Sequence, residues 1–323
     1  MKTDYLSKEN SACLKGLLAV VIIVAHWRNN VTFLHNTAIG MILTASGYLI
    51  VGMFLFLSGY GLRIQGNAYL EHFPKRRLLP YYATYLISVG IYSAIELVSG
   101  GTVTPTAILK SLFWYGTVVD FGWYLQALLL LYLLYWFVYR RTDSPWNLLI
   151  IAAIYAILIF PMKSMLWYNS LLCFPLGIWW ADHKQGIDRW LEKRWGLIFC
   201  AAFILFSATL LLGNLRLLMP SMMYIFKIIS AGFFSVFVMV FMAKVPIKNS
   251  TTTFLGSISG EIYIAQGIGF RLFNSFMEQG QFWIQLFGVL TTSILIGMAL
   301  HAIFEYTRTT LKSFLESAPL GRS

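Results

Sequence analysis

Lys15 and His26 stand eleven residues apart in the stretch KGLLAVVIIVAH, and every position between them is apolar or glycine. Eleven residues make about three turns of α-helix, so an ammonium group and an imidazole share nearly one face, roughly 16 Å apart in depth. Imidazole is the side chain that gains or loses a proton near neutral pH, which is what a general base must do. Ionisable groups within a membrane are costly and face a cavity or a partner. The same spacing also suits a histidine hydrogen-bonded between helices, with Lys15 an ordinary charge at the membrane surface.

Other residues could serve binding or chemistry. Lys75, Arg76 and Arg77 form a basic run just before Leu78-Leu79-Pro80. Such a run suits the phosphates of a cytoplasmic cofactor, to which the forked donors of arginine are matched, or anionic lipid heads. Four acids, Glu96, Asp120, Glu261 and Glu305, lie in or near apolar blocks. Asp120 precedes Gly122-Trp123-Tyr124, and Glu261 sits inside Ser259-Gly260-Glu261-Ile262-Tyr263. Either acid could orient or charge-stabilise His26, and the sequence leaves open which one comes close, whereas Glu305, after His301, reads as a solvated terminus. Ser58-Gly59 allow close helix approach. Cys13, Cys173 and Cys200 lack metal-ligand spacing and read as buried small hydrophobes, not a disulfide framework. No metal is expected.

These residues must be held by membrane helices. Of the 323 residues, 58% are hydrophobic and 11% charged, with a mean hydropathy of +0.69. A soluble domain carries about 25% charged residues. The apolar blocks run to roughly 20 residues, the length that crosses a bilayer as a helix. The expectation is an all-α, polytopic integral membrane protein with about ten transmembrane helices, near 14–33, 39–62, 79–99, 122–139, 147–162, 165–181, 196–213, 222–243, 254–274 and 282–304. Together they form a single membrane-embedded domain over 1–323. The first block ends in Ala25-His26-Trp27-Arg28, with no small-residue cleavage site, so it reads as a retained span.

The net charge is +11, but the cations lie in short segments between apolar blocks, which points to topology and away from nucleic acid. With the N-terminus in the cytoplasm, only Arg28, Lys110, Lys163, Arg216, Lys227 and Arg271 of the 24 Lys and Arg fall on the outer side or in span interiors. That bias predicts cytoplasmic N- and C-termini. Trp123, Trp146, Trp179, Trp180, Trp195 and Trp283 fall near proposed span ends, where an interfacial belt is expected.

Taken in order, these segments resemble the acyltransferase-3 family of integral membrane acyltransferases, which is associated with O-acetylation of bacterial surface glycans. The first-span mark of that family is an arginine, ten residues and a histidine; here the spacing holds with Lys15 in place of arginine. Phe-Leu-Ser-Gly-Tyr ending at Tyr60 is similar to its second-span motif. The run Lys75–Arg77 before Pro80 is similar to its cytoplasmic arginine motif, with arginines adjacent rather than three apart. Gly122-Trp123-Tyr124-Leu125 resembles the start of its fourth span, and Ile258 to Gln266 its ninth, with Gln266 where many members have histidine. His301 to Glu305 fits the end of its tenth.

The resemblance implies a multi-pass protein of the bacterial plasma membrane. It implies a cytoplasmic acyl-CoA donor, acetyl-CoA being the expected one, and a carbohydrate or glycolipid acceptor at the outer face. His26, Asp120 and Glu261 then stand as catalytic candidates, and Lys15, Arg76 and Arg77 as donor-binding candidates. Membrane lipid is the remaining partner. On physics alone, a proton-coupled transporter or flippase with His26 as proton relay fits the same pattern.

Overall fold

The computed structural model describes residues 4–34, 37–113, 116–160, 165–168, 171–215, 219–245 and 247–317. Lys163 and Arg216 of the charge count lie outside them. The described residues form helices and no strand. In chain order these are α1 (Lys8–Arg28), α2 (Ala38–Arg63), α3 (Ala68–Phe73), α4 (Leu79–Val98), α5 (Pro105–Leu112), α6 (Trp123–Tyr139) and α7 (Asn147–Ile159). There follow α8 (Met165–Tyr168), α9 (Cys173–Leu212), α10 (Pro220–Met242), α11 (Ser250–Ser257), α12 (Ser259–Leu272), α13 (Asn274–Glu278) and α14 (Phe282–Ser317).

Among the described residues, six helical stretches are long and apolar enough to cross a membrane: Lys8–Arg28, Ala38–Arg63, Ala68–Val98, Leu166–Leu212, Pro220–Met242 and Phe282–Phe314. Ten are not found, and the differences have local causes. The expected spans 122–139 and 147–162 appear as helices of 17 and 13 residues. At 1.5 Å per residue the second covers roughly 20 Å, short of a bilayer core. The expected span 254–274 breaks at Ile258 (φ −112°, ψ 16°) into α11 and α12. The spans expected at 165–181 and 196–213 fall within one stretch that bends at Arg194 (φ −137°, ψ 28°).

That bend is an elbow. The Ser235 hydroxyl of α10 donates to Cys173 Sγ at 3.9 Å, while Phe234, its neighbour, has its ring 5.3 Å from that of Phe206. Positions at opposite ends of α9 thus reach the same level of α10, so the two arms of α9 run antiparallel. The charged residues between them belong to helix, not to a loop.

The chain divides into two compact units, Met1–Gly66 with Asp143–Ser259, and Asn67–Thr142 with Gly260–Ser323. In the first, α2 packs on α1, α9 and α10, and α11 packs on α1. Two of these contacts are backbone on backbone. A Cβ added at Gly59 would run into the Phe174 carbonyl, and one at Gly177 into that of Phe56, so the close approach expected at Ser58-Gly59 is real. Ile22, Met53, Phe56, Phe174, Ile178 and Met239 are fully buried there. Cys13 and Cys173 are buried as expected, but Cys200 is exposed. Trp146 and Trp283 are exposed, as belt residues would be, while Trp180 is buried and donates its indole N–H to Tyr5.

In the second unit the helices run alternately. Tyr85 meets Gln126 of α6, and Arg77, two turns earlier, meets Tyr132, so α4 and α6 are antiparallel. Glu96 near the end of α4 meets Arg271 near the end of α12, so those two are parallel.

Candidate functional site

In the first unit the side chain of Ser7 caps α1, accepting from the Asn10 N–H at 3.2 Å, and Glu9 in the first turn suits the positive helix end. The helix starts six residues before the expected span and stops five before its end. His26 therefore sits in the last turn of α1, and its carbonyl accepts from the Asn29 N–H at 3.1 Å. His26 and Lys15 are both half-buried. The helix that carries them is fixed by α11. A Cβ at Gly16 would strike the Thr252 carbonyl, and one at Gly256 the Ala12 carbonyl. Glycines at these two places let the backbones touch, which leaves α1 little freedom to rotate and holds Lys15 and His26 in register.

In the second unit the basic run is helical. Residues Pro74–Leu78 form a π turn continuous with α4, in which the Leu79 N–H reaches back to the Pro74 carbonyl. Pro80 has no N–H to give the Arg76 carbonyl, and this missing donor lets the chain take the wider turn. Arg77 donates from Nη2 to the Tyr132 hydroxyl at 3.0 Å, with its guanidinium 5.5 Å from that ring. Tyr132 in turn packs on Tyr81, ring centres 5.6 Å apart. Arg76 and Arg77 are both exposed.

Both acids singled out in the sequence have partners within this unit. Asp120 receives two bonds from Arg271, at 2.6 Å from Nε and 3.0 Å from Nη2, while Nη1 of the same arginine donates to Glu96 at 2.6 Å. The turn behind Asp120 is strained. Phe121 adopts φ 58°, unusual for a residue with a Cβ, and its carbonyl accepts from the Tyr263 hydroxyl at 3.0 Å. Gly267 completes the fit, since a Cβ there would collide with Tyr92 and Asp120.

Glu261 is 5% exposed and near the start of α12. It accepts from His301 Nδ1 at 3.2 Å, with Nη2 of Arg308 at 3.5 Å, both from α14. Glu305, expected as a solvated terminus, is exposed at its side chain but paired with Arg308 at 2.5 Å. A cavity of about 60 Å³ opens beside Glu261, walled by Tyr81, Thr84, Tyr85, Phe304 and Arg308. A space of that size holds a few waters or a slender chain.

The structure thus places Lys15 and His26 together on α1, and Arg77 and Glu261 at one end of the second unit, joined through Tyr132, Tyr81 and the cavity wall. Asp120 stands at the opposite end of that unit. Sequence reasoning missed Arg271, His301 and Arg308 as partners of the acids. Arg271 and His301 are visible in the sequence only as polar residues inside apolar blocks, with nothing to pair them.

Comparison with curated proteins and with solved structures gives no match. A family model does match: the acyltransferase domain of the acyltransferase-3 family covers residues 11–302, reaching across both units. The chain therefore belongs to the acyltransferase-3 family and is a membrane acyltransferase.

Proposed function

We propose that this acyltransferase moves an acetyl group from cytoplasmic acetyl-CoA to a hydroxyl of a carbohydrate or glycolipid at the outer face of a bacterial plasma membrane. Both termini lie in the cytoplasm in this reading. The observation that carries it is α1, where a cation and an imidazole share one face of a helix whose rotation is fixed by Gly16 and Gly256.

His26 acts as general base. It takes the proton of the acceptor hydroxyl as the oxygen attacks the thioester carbonyl. The tetrahedral intermediate collapses with loss of the CoA thiolate, which takes the proton back from the imidazolium and leaves as the thiol. The reaction needs no other proton donor. Lys15 and the arginines of the π turn supply positive charge for the donor's phosphates; Arg77, already oriented by Tyr132, presents a fixed guanidinium. Asp120 and Glu261 remain candidates for charge support. Their partners above make them orienting groups for Arg271 and for His301 and Arg308.

Purified protein with labelled acetyl-CoA and candidate glycans tests the reading. His26→Ala is expected to lower transfer by a factor of about 10² to 10⁴ at unchanged Tm, the usual contribution of a positioned base. Transfer at the wild-type rate would make His26 a structural residue and end the mechanism.

A further inference from the structure

The elbow of α9 carries a feature separate from the residues assigned above to acyl transfer. Gly186, Arg189, Trp190, Lys193 and Arg194 line a surface groove of about 510 Å³. Their spacing of three, four, seven and eight residues from Gly186 sets them on one helical face. Gly186 forms the floor, because a Cβ there would meet nothing within 4 Å. Trp190 is 65% exposed and forms a wall, with the Arg194 guanidinium 6.0 Å from its ring.

The cations of this groove differ from their neighbours. Lys184, just before it, is held by Asp188 at 2.7 Å and Asp4 at 3.2 Å. Arg63 is held by Asp182 and Asp143. Among the described residues no ion pair engages Arg189, Lys193 or Arg194. Two acids lie in this stretch: Asp188 projects from the opposite side of the helix and is held by Lys184 and the Tyr5 hydroxyl, and Glu192 lies off the groove face, flanking Arg189. Three exposed positive charges therefore share one groove, and among the described residues no ion pair neutralises them.

We propose that the groove binds the phosphate headgroup of an anionic phospholipid. All five lining residues come from one helix, so protein covers the ligand on one side only. A small soluble ligand needs most of its surface buried, whereas a lipid headgroup is held from the other side by its own chains in the bilayer. The location agrees. The elbow joins two apolar arms, at the level where headgroups lie, and an exposed tryptophan is the residue type that settles there. Arg189, Lys193 and Arg194 contact the phosphate, and Trp190 lies along the glycerol region.

The test uses the full-length protein in detergent, titrated with phosphatidylglycerol or phosphatidylcholine of the same acyl chains and followed by native mass spectrometry. The wild type is expected to retain phosphatidylglycerol preferentially. Replacing all three cations, R189Q/K193Q/R194Q, should weaken that binding about a hundredfold, roughly fivefold for each surface cation removed. Gly186→Leu keeps every charge, fills the floor and favours helix, so it should weaken binding at undiminished Tm and decides the matter if the triple variant misfolds. Wild-type retention in Gly186→Leu and in a folded triple variant would overturn the proposal. So would displacement of phosphatidylglycerol from the wild type by inorganic phosphate or free CoA, which would make a soluble anion the ligand.

Discussion

The second unit holds two ion-pair clusters built from the same residue types, and they differ in what surrounds them. At one end Arg271 grips Asp120 with two bonds and Glu96 with a third. Every donor there is aimed at a carboxylate, the backbone behind Asp120 is strained at Phe121, and Gly267 admits no side chain. At the other end Glu261 is nearly buried, accepts from a half-exposed His301, and faces a cavity. The first cluster is about a third exposed at its side chains, but each donor of Arg271 is already taken by a carboxylate, and these contacts join α4, α12 and the turn before α6. The second has a cavity beside a charged group and stands at the same end as Arg77.

Substitutions at three places would break or sharpen this contrast. The largest effect is expected for Arg271→Ala, which leaves two carboxylates facing one another. Each contact is about a third exposed at its side chains, so solvent screening reduces it, and the loss should be about 2 kcal/mol of stability. A thermal melt of the purified protein should fall by several degrees, while transfer per folded molecule stays near wild type. A normal melt with lost transfer would place this cluster in the chemistry.

Next come the arginines of the π turn. Arg76→Ala and Arg77→Ala should raise the donor KM by roughly tenfold each, with a smaller change in kcat, because charge-assisted contacts to phosphate are worth about 1.5–3 kcal/mol before screening. Arg77→Lys should behave like Arg77→Ala, since lysine cannot reproduce a planar guanidinium set over Tyr132. Arg76→Lys should be milder, because the contact with Tyr132 that orients a guanidinium belongs to Arg77. Donor titration at fixed acceptor measures all four; an unchanged KM throughout would leave the turn as a topology signal.

The smallest effect is expected for Glu261→Gln. Glutamine keeps an oxygen that can accept from His301 and Arg308 but carries no charge. The melt should move little, and transfer should fall several-fold if the charge beside the cavity supports the reaction. Equal rates for wild type and Glu261→Gln would reduce this cluster to the same structural role as the one around Arg271.

The sequence by itself determined that the chain is helical and membrane-embedded, because apolar block length is a local property that the bilayer reads directly. It also determined that Lys15 and His26 share a face, because helical periodicity fixes that over eleven residues without any help from the rest of the chain. Tertiary structure decided everything that depends on residues distant in the chain. Arg271 lies 151 residues from Asp120 and 175 from Glu96, and no periodicity links positions so far apart. The elbow at Arg194 made the expected loop between two antiparallel spans helical through one residue's dihedral angles, and the π turn made the basic run helical too. The break at Ile258 divided one expected span between the two units. Composition is blind to each of these, because a single backbone angle redirects whole helices while leaving hydropathy unchanged.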